Sequence, residues 1–278
     1  MQINIVTYRN KKKEITPVVL SLKMPSNWQE VTAIQFMAFA KALCSSDFFK
    51  TLLFHWSKLP IKIIGTLKRK HLIHFAENTQ WVKEEISFEA NHLPSFRITG
   101  TLTKWYGYGN GYMHLTLNEF GTADTYLSAY HLTNDITWLH KFIAVLYRPS
   151  NSKILFKAFF NKGDNRVPFN EHLIDDRAKI AAKLPPYIKK AIEYNFIAIR
   201  NTKTATHKHV FEKGEGKPDF LAWAKITCAS AGPELGTLQQ IPNIPINHFL
   251  FYSDNLIRSR KENESNDSGN PALKVMKQ

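Results

Sequence analysis

Apolar and polar residues alternate along INIVTY and again along EITPVVLSL, on either side of the polar run RNKKK at Arg9–Lys13. A period of two predicts an antiparallel hairpin over residues 1–23. Pro17 marks its second strand as an edge, because proline brings no N–H to a ladder. After Met24 the period lengthens. Thr32 followed by Gln35 is a capping box, and Ala33, Phe36, Met37, Ala40 and Leu43 form a helical stripe. A second helix is predicted from a Ser46 cap through Trp56, and a third from Thr66 to Trp81. ISFEA and SFRITGTL, separated by NHLP within residues 86–104, predict a small central hairpin.

The glycine stretch WYGYGNGYM (Trp105–Met113) interrupts these patterns. Beyond it, Thr116 and Glu119 make a second capping box for a helix whose Phe120, Ala123, Leu127 and Tyr130 share a face. NDITWLHKFIAVLYRPS predicts a helix capped at Asp135, striped by Leu139, Phe142, Ile143 and Leu146, and stopped by Pro149. KAFFNKGDNRVPFN has no period. A helix from Glu171 is then broken and restarted by LPPY, continuing to Arg200. DFLAWAKITCASAG predicts a helix with Gly232 as its C-terminal cap. PINHFLFYSDNLIRSRKE predicts another, with Ile246, Phe249, Leu250, Leu256 and Ile257 facing inward. The predicted class is mainly α, a multi-helix protein with an N-terminal and a small central β-hairpin. Its predicted regions are a hairpin (1–23), a helical region with the small hairpin (24–104), a helical region (105–202), a polar linker (203–217), a C-terminal helical subdomain (218–264) and a mobile tail (265–278).

Composition adds a folded chain of 278 residues, 44% hydrophobic with 19 phenylalanines. Two cysteines, Cys44 and Cys228, are too few for a disulfide framework and read as reduced, buried thiols. MQINIVTYRNKKK lacks the features of a signal peptide, and no apolar run approaches the roughly 20 residues of a membrane helix. The expectation is a cytoplasmic protein without a membrane partner. The net charge of +14 is uneven: residues 1–80 hold 12 basic against 4 acidic residues, and residues 151–214 hold 13 against 6. Such a field favours acidic partners. Arg9, Lys11, Lys12, Lys13, Lys68, Arg69 and Lys70 are the residues that nucleic acid would touch, although no base-reading motif accompanies them.

The residues offer little catalytic chemistry. Gly107, Gly109 and Gly111 are spaced G-x-G-x-G, with Tyr112 where a dinucleotide fingerprint needs glycine, and no Gly-Lys-Ser/Thr follows. A flexible aromatic hinge is expected there. His71, His74 and Glu77 share one helix face, but Lys68, Arg69 and Lys70 oppose a cation beside them. His207 and His209 lie in the predicted linker. Asp175 and Asp176 are adjacent on a helix and point apart. Glu84, Glu85 and Glu89 read as solvated, no G-x-S-x-G elbow exists, and Cys44 lacks an activating base. Neither catalytic residues, nor metal, nor cofactor is expected.

Three stretches together resemble a known family. KMPSNWQEVTAIQFMAFAKAL (Lys23–Leu43) resembles an opening of the form L-P-x-x-W-x-E-[LV]-T-x-x-Q-[FL] in tail-region proteins of bacteriophages and prophages, especially of Bacteroidetes. HLTLNEFGTADTYLSAYHLTNDITWLHKFIAVLYRPS (His114–Ser150) and FNEHLIDDRAKIAAKLPPYIKKAIEYNFIAIRN (Phe169–Asn201) are similar to the blocks that follow in them. The resemblance implies a non-enzymatic, tail-assembly-chaperone-like protein that binds tape-measure or tail-tube components, in the host cytoplasm or in the virion. Such a protein covers an apolar helix before assembly, and Trp105, Tyr106, Tyr108 and Tyr112 are expected as exposed anchors. The rival expectation is a virion neck, connector or packaging protein that touches nucleic acid.

Overall fold

The computed structural model describes residues 2–11, 14–57, 64, 67, 69–98, 103–150, 164–211, 221–232 and 235–268. The fold is mainly α, with nine α-helices among these residues and two small antiparallel sheets. No helix among them is long and apolar enough to cross a membrane. The chain divides into two compact units, each built from separate stretches: Met1–Leu93 with Leu184–Asn201, and Pro94–Lys183 with Thr202–Gln278. This differs from the contiguous division expected at 24–104, 105–202 and 218–264.

In the first unit, β1 (Gln2–Lys11) pairs antiparallel with β2 (Glu14–Lys23), as the alternation predicts. Pro17 stands opposite Tyr8 in a two-stranded ribbon, where every strand is an edge. Helix α1 (Ala33–Leu43) carries the predicted Thr32–Gln35 capping box. It buries Phe36, Ala38, Phe39, Ala40 and Ala42, so its inward face is rotated away from Ala33, Met37 and Leu43. Helix α2 (Phe48–Ser57) is capped by Asp47, whose carboxylate accepts Lys50 N–H at 3.2 Å, in place of the expected Ser46. A carboxylate also complements the positive end of the helix dipole. Helix α3 (Arg69–Asn78) is shorter than the predicted Thr66–Trp81. Thr79 is fully buried and its hydroxyl donates to the Phe75 carbonyl at 2.7 Å, and beyond it the chain tightens into a 3-10 turn at Gln80–Lys83. Thr66 lies outside the described residues.

Helix α7 (Pro186–Thr206) completes this unit with its residues through Asn201. Asn195 accepts His92 N–H at 2.9 Å and donates to Asn91 at 3.0 Å, while Asn201 donates to the Ile86 carbonyl at 2.9 Å. These bonds explain why ISFEA is no strand. Ile86 and Phe88 point inward with a period of two, but α7 supplies bonds that a strand partner would have made: the Asn201 side chain to the Ile86 carbonyl and the Ala198 carbonyl to the Phe88 N–H. Around them Trp28 packs edge-on to Phe39 (4.9 Å) and Trp81 (5.3 Å), and Phe36 meets Phe88 at 5.4 Å.

In the second unit the order is β3-β4-β5: Ser95–Arg97, Lys104–Tyr106 and Arg148–Pro149. The expected central hairpin thus uses SFR and KWY, not ISFEA. Helices α4 (Leu117–Thr133) and α5 (Ile136–Leu146) start at the predicted Thr116–Glu119 box and Asp135 cap. Phe120, Ala123, Leu127, Leu139, Phe142, Ile143 and Leu146 are buried as predicted, while Tyr130 is half-buried. Helix α6 (Ile174–Ala181) is tied to α5 by Lys141 and Asp175 at 2.9 Å. Helix α8 (Ala222–Ala229) ends on Ser230; Gly232, the expected cap, pairs with Gly236 in an isolated bridge. Helix α9 (Ile246–Ser268) buries Ile246, Phe249 and Leu250, while Leu256 and Ile257 are half-buried. It also includes residues 265–268 of the expected tail, and α7 includes 203–206 of the expected linker. Residues 212–217 and 269–278, expected as linker and tail, lie outside the described residues.

Candidate functional site

The predicted aromatic anchors are core residues. Trp105 (2% exposed), Tyr108 (1%) and Tyr112 (0%) point inward, and only Tyr106 is half-exposed, with Lys104 Nζ 4.7 Å from its ring centre. The cause lies in β4 and the turn after it. Strand alternation turns Trp105 toward Phe96 (6.3 Å) and leaves Tyr106 outside. At Gly107 a Cβ would stand 2.5 Å from the Tyr147 ring, so glycine is required for that close approach. Tyr112 then packs on Phe120 at 5.2 Å. The expected exposed hinge is a packed corner of the second unit.

Among the described residues, the predicted basic contacts lie on two elements of the first unit, β1 and α3. Arg69 and Lys70 are exposed in the first turn of α3, Arg9 and Lys11 fall at the turn end of β1, and Lys12, Lys13 and Lys68 lie outside the described residues. His74 meets Asn78 at 3.4 Å, and no group of three or more His, Cys, Asp or Glu among the described residues could hold a metal ion. Cys44 and Cys228 are exposed, against the expectation of burial: Cys44 caps the end of α1, and Cys228 lies off the half-buried Ala222–Trp223–Ile226–Thr227 side of its helix.

A buried ionic cluster went unread in the sequence. Glu119 and Arg148 pair with both side chains nearly fully buried. Arg166 Nη2 lies 3.5 Å from the second oxygen of Glu119, and its Nε donates to Asp164 at 2.9 Å. Arg166 also donates to the Leu146 carbonyl at 3.2 Å. Burial raises the Asp164 carboxyl, but hydrogen bonds and charge from Arg166 outweigh it and hold the group below its ordinary value. Burial pulls the Arg148 guanidinium down, opposed by Glu119. Two acids and two guanidinia balance, so the cluster joins the start of α4, β5 and residues 164–166 without leaving a base or acid poised for chemistry. Its one sequence signal was an arginine directly after the apolar run of α5.

An open groove of about 460 Å³ lies between α4 and α8. Leu117, Gly121 and Tyr126 form one wall, Trp223 and Cys228 the other, with Leu238 and Pro242 at the end. Polar groups along it are engaged within the protein: Asn118 donates to Glu171 at 2.7 Å, and the Thr125 and Thr227 hydroxyls donate to the carbonyls of Gly121 and Trp223, both at 2.8 Å. Burial raises the Tyr126 hydroxyl pKa, which keeps it neutral. Leu238 is 52% exposed and Leu221, just before α8, 62%. The surface is therefore apolar and suited to an apolar helix face. Gly121 and Trp223 carry it, and neither stood out in the sequence, since a glycine inside a helix and a lone tryptophan have no motif around them. No protein-family model matches this chain, and no curated protein or solved structure matches it either.

Proposed function

We propose that this chain is a non-enzymatic bacteriophage or prophage tail protein that assists assembly by holding an apolar helix of a tape-measure or tail-tube protein in the α4–α8 groove. The observation that carries the reading is the groove itself, an open apolar trough whose polar neighbours are already hydrogen-bonded inside the protein. The ordered blocks Lys23–Leu43, His114–Ser150 and Phe169–Asn201 support the tail assignment. An assembly partner with an apolar stripe has to be kept from water until the tube forms, and burial against such a trough does this without chemistry. The host cytoplasm is where such a step takes place.

The test is binding of tape-measure helical segments to the wild-type chain and to Leu238→Asp and Ala224→Asp, both at exposed positions on or beside the groove. Affinity should fall about tenfold or more through charge placed against an apolar partner, with the melting temperature unchanged. Binding that is equal in all three proteins removes the groove from the reading.

A second reading draws on the net charge of +14, with Arg69 and Lys70 exposed on α3. Phosphate contacts alone give duplex binding that weakens steeply with salt. Tight, sequence-selective DNA binding at physiological salt, with no protein partner recovered, would favour that reading.

A further inference from the structure

The inward face of α6 carries Ile174, Arg177, Ala178 and Ala181, all buried. Arg177 is 8% exposed, and its Nη1 is sealed from water with no hydrogen-bond acceptor among the described residues. The neighbouring carboxylates are committed elsewhere: Asp175 pairs with Lys141 at 2.9 Å and Asp176 with Lys179 at 2.8 Å. Burial alone pulls the Arg177 pKa down. Arg148 and Arg166, buried as deeply, share Glu119 and Asp164. Arg177 has no such acid, and a guanidinium taken out of water without an anion is costly.

Its place on the helix shows where an anion can come from. On one side of Arg177 lie the buried Ile174 and Ala181, and on the other Leu173 and Ile180, each within about 60° around the helix axis. Leu173 is 41% exposed and Ile180 36%. The buried charge therefore stands on the border between the core stripe and an exposed apolar edge. We propose that Arg177 is a socket for a carboxylate on a protein partner, an aspartate or glutamate presented between apolar side chains that cover Leu173 and Ile180. Seating it supplies the counter-charge that the chain lacks there, in the pairing for which a guanidinium is best shaped. Arginines that anchor interfaces sit in such desolvated places, ringed by apolar contacts. The net charge of +14 draws acidic partners in general. A nucleic-acid backbone offers phosphates but nothing to cover the apolar edge, so the edge favours a protein. The inference does not rest on the α4–α8 groove, and adds an acidic residue to what a partner carries.

The probe is a fluorescein-labelled peptide, blocked at both ends, with one glutamate flanked by leucines, beside its glutamine counterpart. Binding to the full chain is followed by anisotropy. Wild type should bind the glutamate peptide about tenfold tighter or better, the scale of a hydrogen bond to a charged group. Arg177→Met should bind both alike. Without peptide, Arg177→Met should melt at or above the wild-type temperature, because the change removes a buried charge that has no partner. Leu238→Asp should keep the preference for glutamate, which separates the socket from the groove. Three results overturn the socket: no glutamate preference in wild type, a preference that survives Arg177→Met, or Arg177→Met melting below wild type, which means that the guanidinium is already satisfied in the free protein. Inorganic phosphate displacing the glutamate peptide more readily than acetate does, at equal ionic strength, would make this a site for a free oxyanion and remove the protein partner from it.

Discussion

Glu119 serves two ends of the same structure. Its backbone N–H and one carboxylate oxygen complete the Thr116 capping box, at 3.3 and 3.2 Å, while the carboxylate also faces Arg148 and Arg166. Glu119→Gln retains the shape and an amide oxygen for the cap, but leaves two buried guanidinia short of a negative charge. The expected loss is about 3–5 kcal/mol, as for breaking one side of a buried ion pair, measured by urea denaturation. A loss under about 1 kcal/mol, the scale of an exposed pair, would mean that water reaches the cluster. His92 makes a second test at this scale. It packs against Phe36 at 5.3 Å and Phe88 at 4.6 Å, and burial lowers its pKa. A lowered imidazole value means that the unfolded chain binds the proton more readily. Stability is therefore complete above the unfolded value of about 6.5 and is lost as pH falls through the folded value. The melting temperature should drop between about pH 7.5 and pH 5.5, and His92→Gln should drop less.

Among the elements, β4 and its turn carry the clearest prediction. Trp105→Ala removes a core indole and should cost about 3–5 kcal/mol. Gly107→Ala forces a methyl to within 2.5 Å of the Tyr147 ring and should cost about 1–3 kcal/mol by overpacking. Both effects are read from denaturation midpoints. Replacing all of Trp105–Tyr112 should consequently unfold this corner, so a loss of partner binding in such a variant reports on folding and not on an interface. If Trp105→Ala instead melts like wild type and loses only partner binding, the stretch acts as an anchor after all.

For the whole molecule, the division into units has a consequence that contiguous regions would not have. The first unit takes Tyr194, Asn195, Ala198 and Asn201 from α7, more than 100 residues beyond the residues they meet. A chain ending at residue 183 keeps every helix of the N-terminal stretch but lacks those partners. It should lose cooperative melting of the first unit, and backbone NMR spectra should show collapsed dispersion for residues 24–93. Well-dispersed signals from the truncated chain would show that α7 decorates this unit instead of completing it.

What was legible in the sequence is what neighbouring residues decide among themselves. The capping boxes at Thr32 and Thr116, the Asp135 cap, the stripe of α5 and the N-terminal alternation each depend on groups within one or two turns, or on a strand and its adjacent partner. Such features are written locally and were read correctly. The fate of Ile86–Ala90 depended on Asn201 and the Ala198 carbonyl, over 100 residues away, and that of Trp105, Tyr108 and Tyr112 on Tyr147, Phe96 and Phe120 arriving to bury them. An aromatic, glycine-rich run has the same local appearance whether its rings meet solvent or a core. The Glu119–Arg148–Arg166–Asp164 cluster and the contact of Trp223 with Gly121 exist only where distant segments cross. Composition can announce that a charge or an indole is present. Only the packing of one segment on another determines whether it is desolvated, and by which partner.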